Sequence, residues 1–320
     1  MGDSAATVLY GAEGARKTRT YREWGDITVY IVDHQLREQL QHISPAFPVT
    51  YFHDEMADLP NREGPVHWHP EFEIVTAKTG VLDYQVGEEH ILLNGGDSLF
   101  VNTNMLHCIR QLSGEDDPMP GIVFLGTLIA PENSLIYEKY VHSISACDRL
   151  PYVVFRLGKH DAIDRAIRHI YSLFEEELPL YELRVQHELI RIFDFLNSHL
   201  EEFSGTSLSR MRLDAQIRVQ KMLSYIFTHY AEDLTLSDIS SAASISRSEA
   251  GRCFSIYMRR TPIEYLIGYR LQKARFLLDS TTQTIQEISQ SCGFHSTSYF
   301  TRKFRQYYGY TPGSVRHLGK

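Results

Sequence analysis

Cysteine is scarce in this sequence. The 320 residues hold four, Cys108, Cys147, Cys253 and Cys292, far apart and with no Cys-x-x-Cys pair. That spacing excludes a disulfide scaffold and a cysteine zinc site, and it predicts a reduced, cytoplasmic setting. Long hydrophobic runs are missing too. No segment approaches the ~20 apolar residues of a bilayer span, so an integral membrane protein is excluded. Met1 to Thr20 is polar and small and lacks the basic-then-apolar pattern of a secretory signal. A chain that is 43% hydrophobic and 22% charged is neither disordered nor fibrous. Its length suits two domains better than one.

The net charge of −8 is unevenly spread. Leu213 to Lys320 holds 14 Lys+Arg against 8 Asp+Glu, a net of +6. The remaining residues hold 18 basic and 32 acidic side chains, a net of −14. A basic third joined to an acidic two-thirds suggests one part that meets a polyanion and another that does not.

From Val49 to Leu128 the chain reads as short strands rich in β-branched and aromatic residues, such as Phe72 to Val75, Val81 to Val86, Ser98 to Val101 and Ile122 to Leu125. Gly80, Gly87 and Asn94-Gly95-Gly96 punctuate them, which points to a sandwich or small barrel. The period then changes. Ile163, Ile167, Ile170 and Phe174 recur at helical spacing. After Pro179, so do Leu183, Ile190, Phe193, Leu196 and Leu200. This predicts an αα-hairpin over 161–203. Both helices could pack on the strands, and a face of the 181–202 helix could also dimerise. Ser204 to Ser209 is small and polar, and 204–212 is expected to be a linker.

The C-terminal third contains a near-duplication. Leu236, Ile239 and Ala243 match Ile285, Ile288 and Cys292 at an offset of 49. Ser246, Ser248, Arg252, Phe254 and Tyr257 match Ser296, Ser298, Arg302, Phe304 and Tyr307 at an offset of 50. Each copy closes on Thr-Pro, at Thr261-Pro262 and Thr311-Pro312. One residue inserted at the turn, within Gly293-Phe294-His295, accounts for the changed offset. Each copy reads as a short helix, a tight turn and a serine-capped second helix, over about 234–257 and 284–307. That is a helix-turn-helix, whose second helix enters the DNA major groove. The outward residues of those helices are Ser248, Gly251 and Arg252 in the first copy. In the second they are Thr297, Ser298, Thr301 and Arg302. Arginine pairs bidentately with guanine, and serine or threonine fits several bases. Ile263 to Leu278 reads as one long helix that holds the two units apart.

These residues carry a family resemblance. Leu213 to His317 resembles the DNA-binding domain of the AraC/XylS (arabinose-regulator) family, most specifically over Gly293 to Phe304 and Gly309 to Pro312. The resemblance implies a bacterial transcription regulator with two helix-turn-helix units. It also implies that the seven outward residues face bases. One departure stands out: Arg259 occupies the place of Gly309 in the other copy, and a left-handed turn there costs roughly 1 kcal/mol without glycine.

In the N-terminal part, His67, His69 and Glu73 form a His-x-His-x3-Glu pattern, with His107 remote in sequence. On a strand His67 and His69 share a face. Three imidazoles and a carboxylate suit Zn, Fe, Mn or Ni. The pattern resembles the cupin β-barrel, where His67, His69, Glu73 and His107 would fall on the four ligand positions. The likeness breaks at Asn102 and Asn104, where cupins usually have proline and glycine. The same histidines could instead hydrogen-bond in the barrel mouth or line a ligand pocket. Trp68, Tyr51, Phe52, Phe72, Tyr84 and Phe100 supply aromatic surface of the kind that stacks on sugar rings, or they are simply core.

The expected architecture is therefore α+β and multidomain. A cupin-like sensor domain spans 1–160, an αα-hairpin for dimerisation 161–203, a linker 204–212 and an all-α domain with two helix-turn-helix motifs 213–320. The expected function is sequence-specific DNA-binding transcription regulation under a small-molecule effector, carbohydrate being one class, and no enzymatic activity. Promoter DNA, the effector, RNA polymerase and a second copy of the chain are the expected partners, with no membrane. A divalent metal is the candidate cofactor. The alternatives are a metal-responsive regulator and a metal-dependent cupin enzyme fused to a DNA-binding domain.

Overall fold

The computed structural model describes residues 9–10, 31–33, 36–54, 56, 62–113, 119–176, 179–203 and 210–318. It divides into two units, 1–214 and 215–320. A two-residue parallel pair, β1 (Leu9–Tyr10) with β2 (Ile31–Val32), comes first. The main strands are β3 (Val49–Asp54), β4 (Phe72–Thr76), β5 (Val81–Val86), β6 (Glu89–Asn94), β7 (Ser98–Val101), β8 (His107–Ser113) and β9 (Met119–Phe124). A π-helical turn, Tyr137–Val141, runs into α1 (His142–Ser145), and β10 (Tyr152–Phe155) follows. Two antiparallel sheets result, ordered β10-β7-β4-β9-β3 and β6-β5-β8. The second motif of the barrel departs from the cupin pattern in sequence and compensates in structure. Asn104 takes the left-handed turn that glycine would otherwise supply, at φ 61°. The Asn102 amide donates to the Ile144 and Leu150 carbonyls, 2.8 Å each, and ties the residue after β7 to α1 and to the loop before β10.

The helices α2 (Asp161–Glu176) and α3 (Tyr181–Ser198) pack on the five-stranded sheet and share one core with it. Residues 161–203 are therefore part of the barrel's core rather than a separate layer. The reason is aromatic. Phe193 of α3 inserts edge-on against Phe72, Phe100 and Phe124 of the sheet, at ring separations of 5.1, 6.2 and 6.2 Å. Such pairs add about 0.5–1.5 kcal/mol each beyond the area they bury. The sheet-facing side of α3 is Val185, Leu189, Ile192, Phe193 and Leu196, all buried. Leu183 and Ile190, which belong to the apolar period in the sequence, point the other way and are 63% and 45% exposed. A short helix α4 (Leu200–Phe203) ends this unit's described elements.

The expected linker falls largely on 204–209, outside the described residues. Helix α5 (Arg210–His229) begins inside the remainder of it. The second unit continues with α6 (Leu236–Ala242), α7 (Arg247–Met258), α8 (Pro262–Ser280), α9 (Ile285–Ser291), α10 (Thr297–Tyr308) and α11 (Pro312–Leu318). The two helix-turn-helix units are α6–α7 and α9–α10, with α8 between them. Their starts are chemically alike. Thr235 with Asp238, and Thr284 with Glu287, form reciprocal capping boxes, while Ser246 and Ser296 cap the second helices. The turns match too: Ile245 N–H donates to Ser240 O in the first copy and Phe294 N–H to Ser289 O in the second. The inserted residue is therefore His295, just after the matched bonds.

Helix α8, about 28 Å long for its 19 residues, serves both units. Its first half carries Tyr265 and Tyr269 against Phe227 and Phe254. Its second half carries Leu271, Ala274 and Leu278 into the core around Phe300 and Phe304. Arg270 joins the halves. Its guanidinium donates to the Tyr230 and Glu232 carbonyls, 2.7 Å each, and lies 5.9 Å from the Phe294 ring centre.

Helices α7 and α10 both end in a left-handed residue, Arg259 at φ 52° and Gly309 at φ 82°. Arginine meets a steric penalty there that glycine does not. Arg259→Gly is expected to stabilise the C-terminal unit by up to about 1 kcal/mol. The reading is a higher urea midpoint at unchanged slope. A lower midpoint would show that the arginine side chain contributes more than the turn costs.

Candidate metal centre and nucleic-acid interface

The histidine cluster is built by backbone pairing. His67 and His107 exchange both main-chain hydrogen bonds, 3.0 and 2.9 Å, as an antiparallel bridge. This brings together residues forty apart in sequence, and sets their rings 4.2 Å apart. His69 follows on the same face, 5.0 Å from the His107 ring. One ring nitrogen from each of the three lies within 4.8 Å of the other two, and all three side chains are buried. Glu73 comes from the neighbouring sheet on β4. Its Oε2 lies 3.0 Å from His107 Nε2 and 3.3 Å from His69 Nε2, and its Oε1 accepts from the Tyr84 hydroxyl at 2.9 Å. Glu73 thus touches two of the histidines without belonging to the tight triplet. Glu38 was not singled out by the sequence reading. Its Oε2 stands 3.4 Å from His67 Nε2.

The ring tautomers follow from the partners. Nδ1 of His67, His69 and His107 faces the carbonyl oxygens of Pro65, Glu71 and Met105, at 2.9, 3.2 and 2.8 Å. A carbonyl only accepts, so each Nδ1 carries the hydrogen and each Nε2 of a neutral ring presents a lone pair inward. Carbonyls that orient histidine rings in this way are the usual second layer of a metal site. His107 Nε2 is buried against Glu73 Oε2 at 3.0 Å. Burial, helped by the neighbouring His107 and His69, pulls the His67 imidazole well below its usual range. Burial also works against charge on His69, but its hydrogen bond to Glu73 and the charges of Glu73, Glu38 and Glu71 together outweigh this and raise it. Burial pushes the Glu73 carboxyl up, yet His107 and His69 hold it well below the carboxylate range. A buried carboxylate therefore sits among the imidazoles that hold its charge.

The aromatic supply resolves into separate tasks. Phe72 and Phe100 are core under α3, and Tyr51 stacks on Phe174 of α2 at 5.1 Å. Phe52 packs over Gly121, where a Cβ would come within 2.3 Å of its ring. Tyr84 turns its hydroxyl to Glu73 of the cluster.

In the C-terminal unit, Ser248 and Arg252 are exposed on α7, and Ser298 and Arg302 are exposed at the matching places on α10. Gly251 lies between the first pair, and a Cβ there would meet nothing within 4 Å. Thr297 and Thr301 are half-buried, and the Thr297 hydroxyl bonds Ser289 of α9 at 3.1 Å. Thr297, Ser298, Thr301 and Arg302 line one concave surface together with Arg305, Gln306 and Thr311. The last three were missed in sequence because they lie beyond the helix positions usually assigned to base contact. Arg302 is held over the Tyr299 ring at 5.3 Å.

Comparison with known proteins identifies both halves. A helix-turn-helix domain model matches residues 239–317, and a cupin domain model matches 55–119. The HTH-type transcriptional regulator YdeC of Bacillus subtilis is 30% identical over 296 residues, covering 90% of this chain and 98% of that protein. The chain belongs to the AraC-type transcriptional regulators. The melibiose operon regulatory protein of Escherichia coli K12 is 22% identical over 262 residues, 79% of this chain and 84% of that protein. An AraC-type regulator structure from Chromobacterium violaceum is 30% identical over 33% of this chain and 94% of that one, with a TM-score of 0.32. This AraC-type chain is a DNA-binding transcription regulator with a cupin domain. Among the described residues no helix is long and apolar enough to cross a membrane.

Proposed function

We propose that this regulator binds promoter DNA as a cytoplasmic homodimer, reading bases through Ser248, Gly251, Arg252, Thr297, Ser298, Thr301 and Arg302. The supporting observation is the pair of capped helices α7 and α10, each with an exposed arginine at the same position. Arg252 and Arg302 have the reach and the planar fork for a guanine edge. The surrounding basic segment supplies phosphate contacts, while the acidic cupin half stays clear of them. Occupancy beside a promoter brings the protein against RNA polymerase. In the cupin half, His67, His69, Glu73 and His107 hold a divalent metal. A small polar effector, carbohydrate being the class tried first, binds at the same cluster and shifts the population of DNA-competent protein. The metal-responsive reading gains support from the three inward Nε2 lone pairs. The second copy docks on the outer side of α3, where Leu183 and Ile190 stand one heptad apart.

Three measurements test this reading. Affinity for duplex DNA should fall steeply with salt, and Arg302→Ala should lose about 1–3 kcal/mol of discrimination for its preferred site. A flat salt response would sink the assignment. Protein purified without chelator should carry about one metal per chain by elemental analysis, and the His67→Ala/His107→Ala variant none; sugars are then screened by thermal shift on the loaded and stripped forms. Equal, negligible metal in both proteins would leave the histidines as packing residues. Leu183→Glu/Ile190→Glu should sediment as a folded monomer while the wild type sediments as a dimer. A monomeric wild type at DNA-binding concentrations rejects the α3 interface.

A further inference from the structure

Glu38 is a buried carboxylate that the cupin ligand pattern does not include. It is 5% exposed, and it reaches the cluster from a stretch far upstream of His67. The backbone explains how. Trp68 N–H donates to Leu36 O and Glu38 N–H donates to Trp68 O, both at 2.9 Å, so residues 36–38 lie as an added strand beside His67 and Trp68. Leu36 is fully buried, and the Arg37 guanidinium stands over the Trp68 ring at 5.8 Å. This register turns Glu38 inward, to 3.4 Å from His67 Nε2. Glu73 faces His69 and His107 from the other side.

Three imidazoles donate through Nδ1 to carbonyls and point Nε2 lone pairs at one another. Two carboxylates point at the same nitrogens. His107 Nε2 is buried among them, 3.0 Å from Glu73 Oε2. Carboxylate and imidazole together are the ligand types that first-row divalent metals take.

We propose that Glu38 is a metal ligand. Together with His67, His69, His107 and Glu73 it forms a three-histidine, two-carboxylate centre, and metal occupancy clamps residues 36–38 onto His67 and Trp68. The proposal rests on the metal reading given above and extends it to a segment that the metal would hold in place.

The test uses the full chain, stripped with chelator and titrated with Zn2+ against a chromophoric competitor. Wild type should bind one Zn2+, and His107→Ala should abolish binding. Glu38→Gln should weaken it at least tenfold, and Glu38→Asp, which keeps the carboxylate, should recover part of the loss. Amide hydrogen exchange gives a second reading that does not depend on a variant. Zn2+ should slow exchange of the Glu38 and Trp68 N–H groups in wild type at least tenfold, and leave it unchanged in Glu38→Gln. Equal Zn2+ affinity in Glu38→Gln and wild type, with His107→Ala inactive, overturns the role of Glu38 and leaves the metal centre standing. Unchanged exchange in wild type on Zn2+ addition overturns the clamp. No Zn2+ binding by wild type overturns the centre and this proposal together.

Discussion

The C-terminal unit depends on the stiffness of α8. A helix of this length resists bending, and its hydrophobic face is divided between two cores. Neither helix-turn-helix can move along it without exposing Tyr265 and Tyr269 on one side or Leu271 and Leu278 on the other. Arg270 adds a directional constraint at the midpoint. Its two bonds to the end of α5, and its place over Phe294, tie the entry of the first unit to the turn of the second. The close approach of the Gly293 turn to Tyr230 belongs to the same joint, since a Cβ there would lie 2.8 Å from the Tyr230 carbonyl. The spacing of the two recognition helices is thus a packed quantity, fixed before any DNA is met.

The cupin unit obeys a different constraint, the cost of charge out of water. Its aromatic core under α3 is ordinary hydrophobic packing. Its mouth, by contrast, gathers carboxylates and imidazoles where solvent cannot screen them. The backbone bridge between His67 and His107 puts them there, and the hydrogen bonds from Nδ1 fix which nitrogen faces inward. Charge at such a place costs stability unless neighbouring groups balance it.

Much of this was legible in the sequence, for reasons that can be named. Short-range signals carried it: the serine and threonine caps, the Thr-Pro stops, the strand-and-glycine rhythm and the doubled motif. The near-duplication even located the extra turn residue, which the matched turn bonds narrow to His295. What escaped depends on distant pairing. Nothing local in Glu38 says that it lies beside His67. Nothing local in Tyr152 to Phe155 says that this stretch becomes the edge strand beside β7. The periodicity of α3 failed differently. Apolar residues occur on two overlapping faces of that helix, and a period cannot say which face the sheet takes. Phe193 decides it, because only that face fits the three-phenylalanine socket.

Gly251 has one more consequence. Where α10 presents Thr301, α7 presents bare backbone and open space. The two units are copies in fold but not in vocabulary. The outer surfaces of the two helices are therefore unequal within one protomer: at the position before its exposed arginine only α10 carries a side chain, so the unit has a direction of its own.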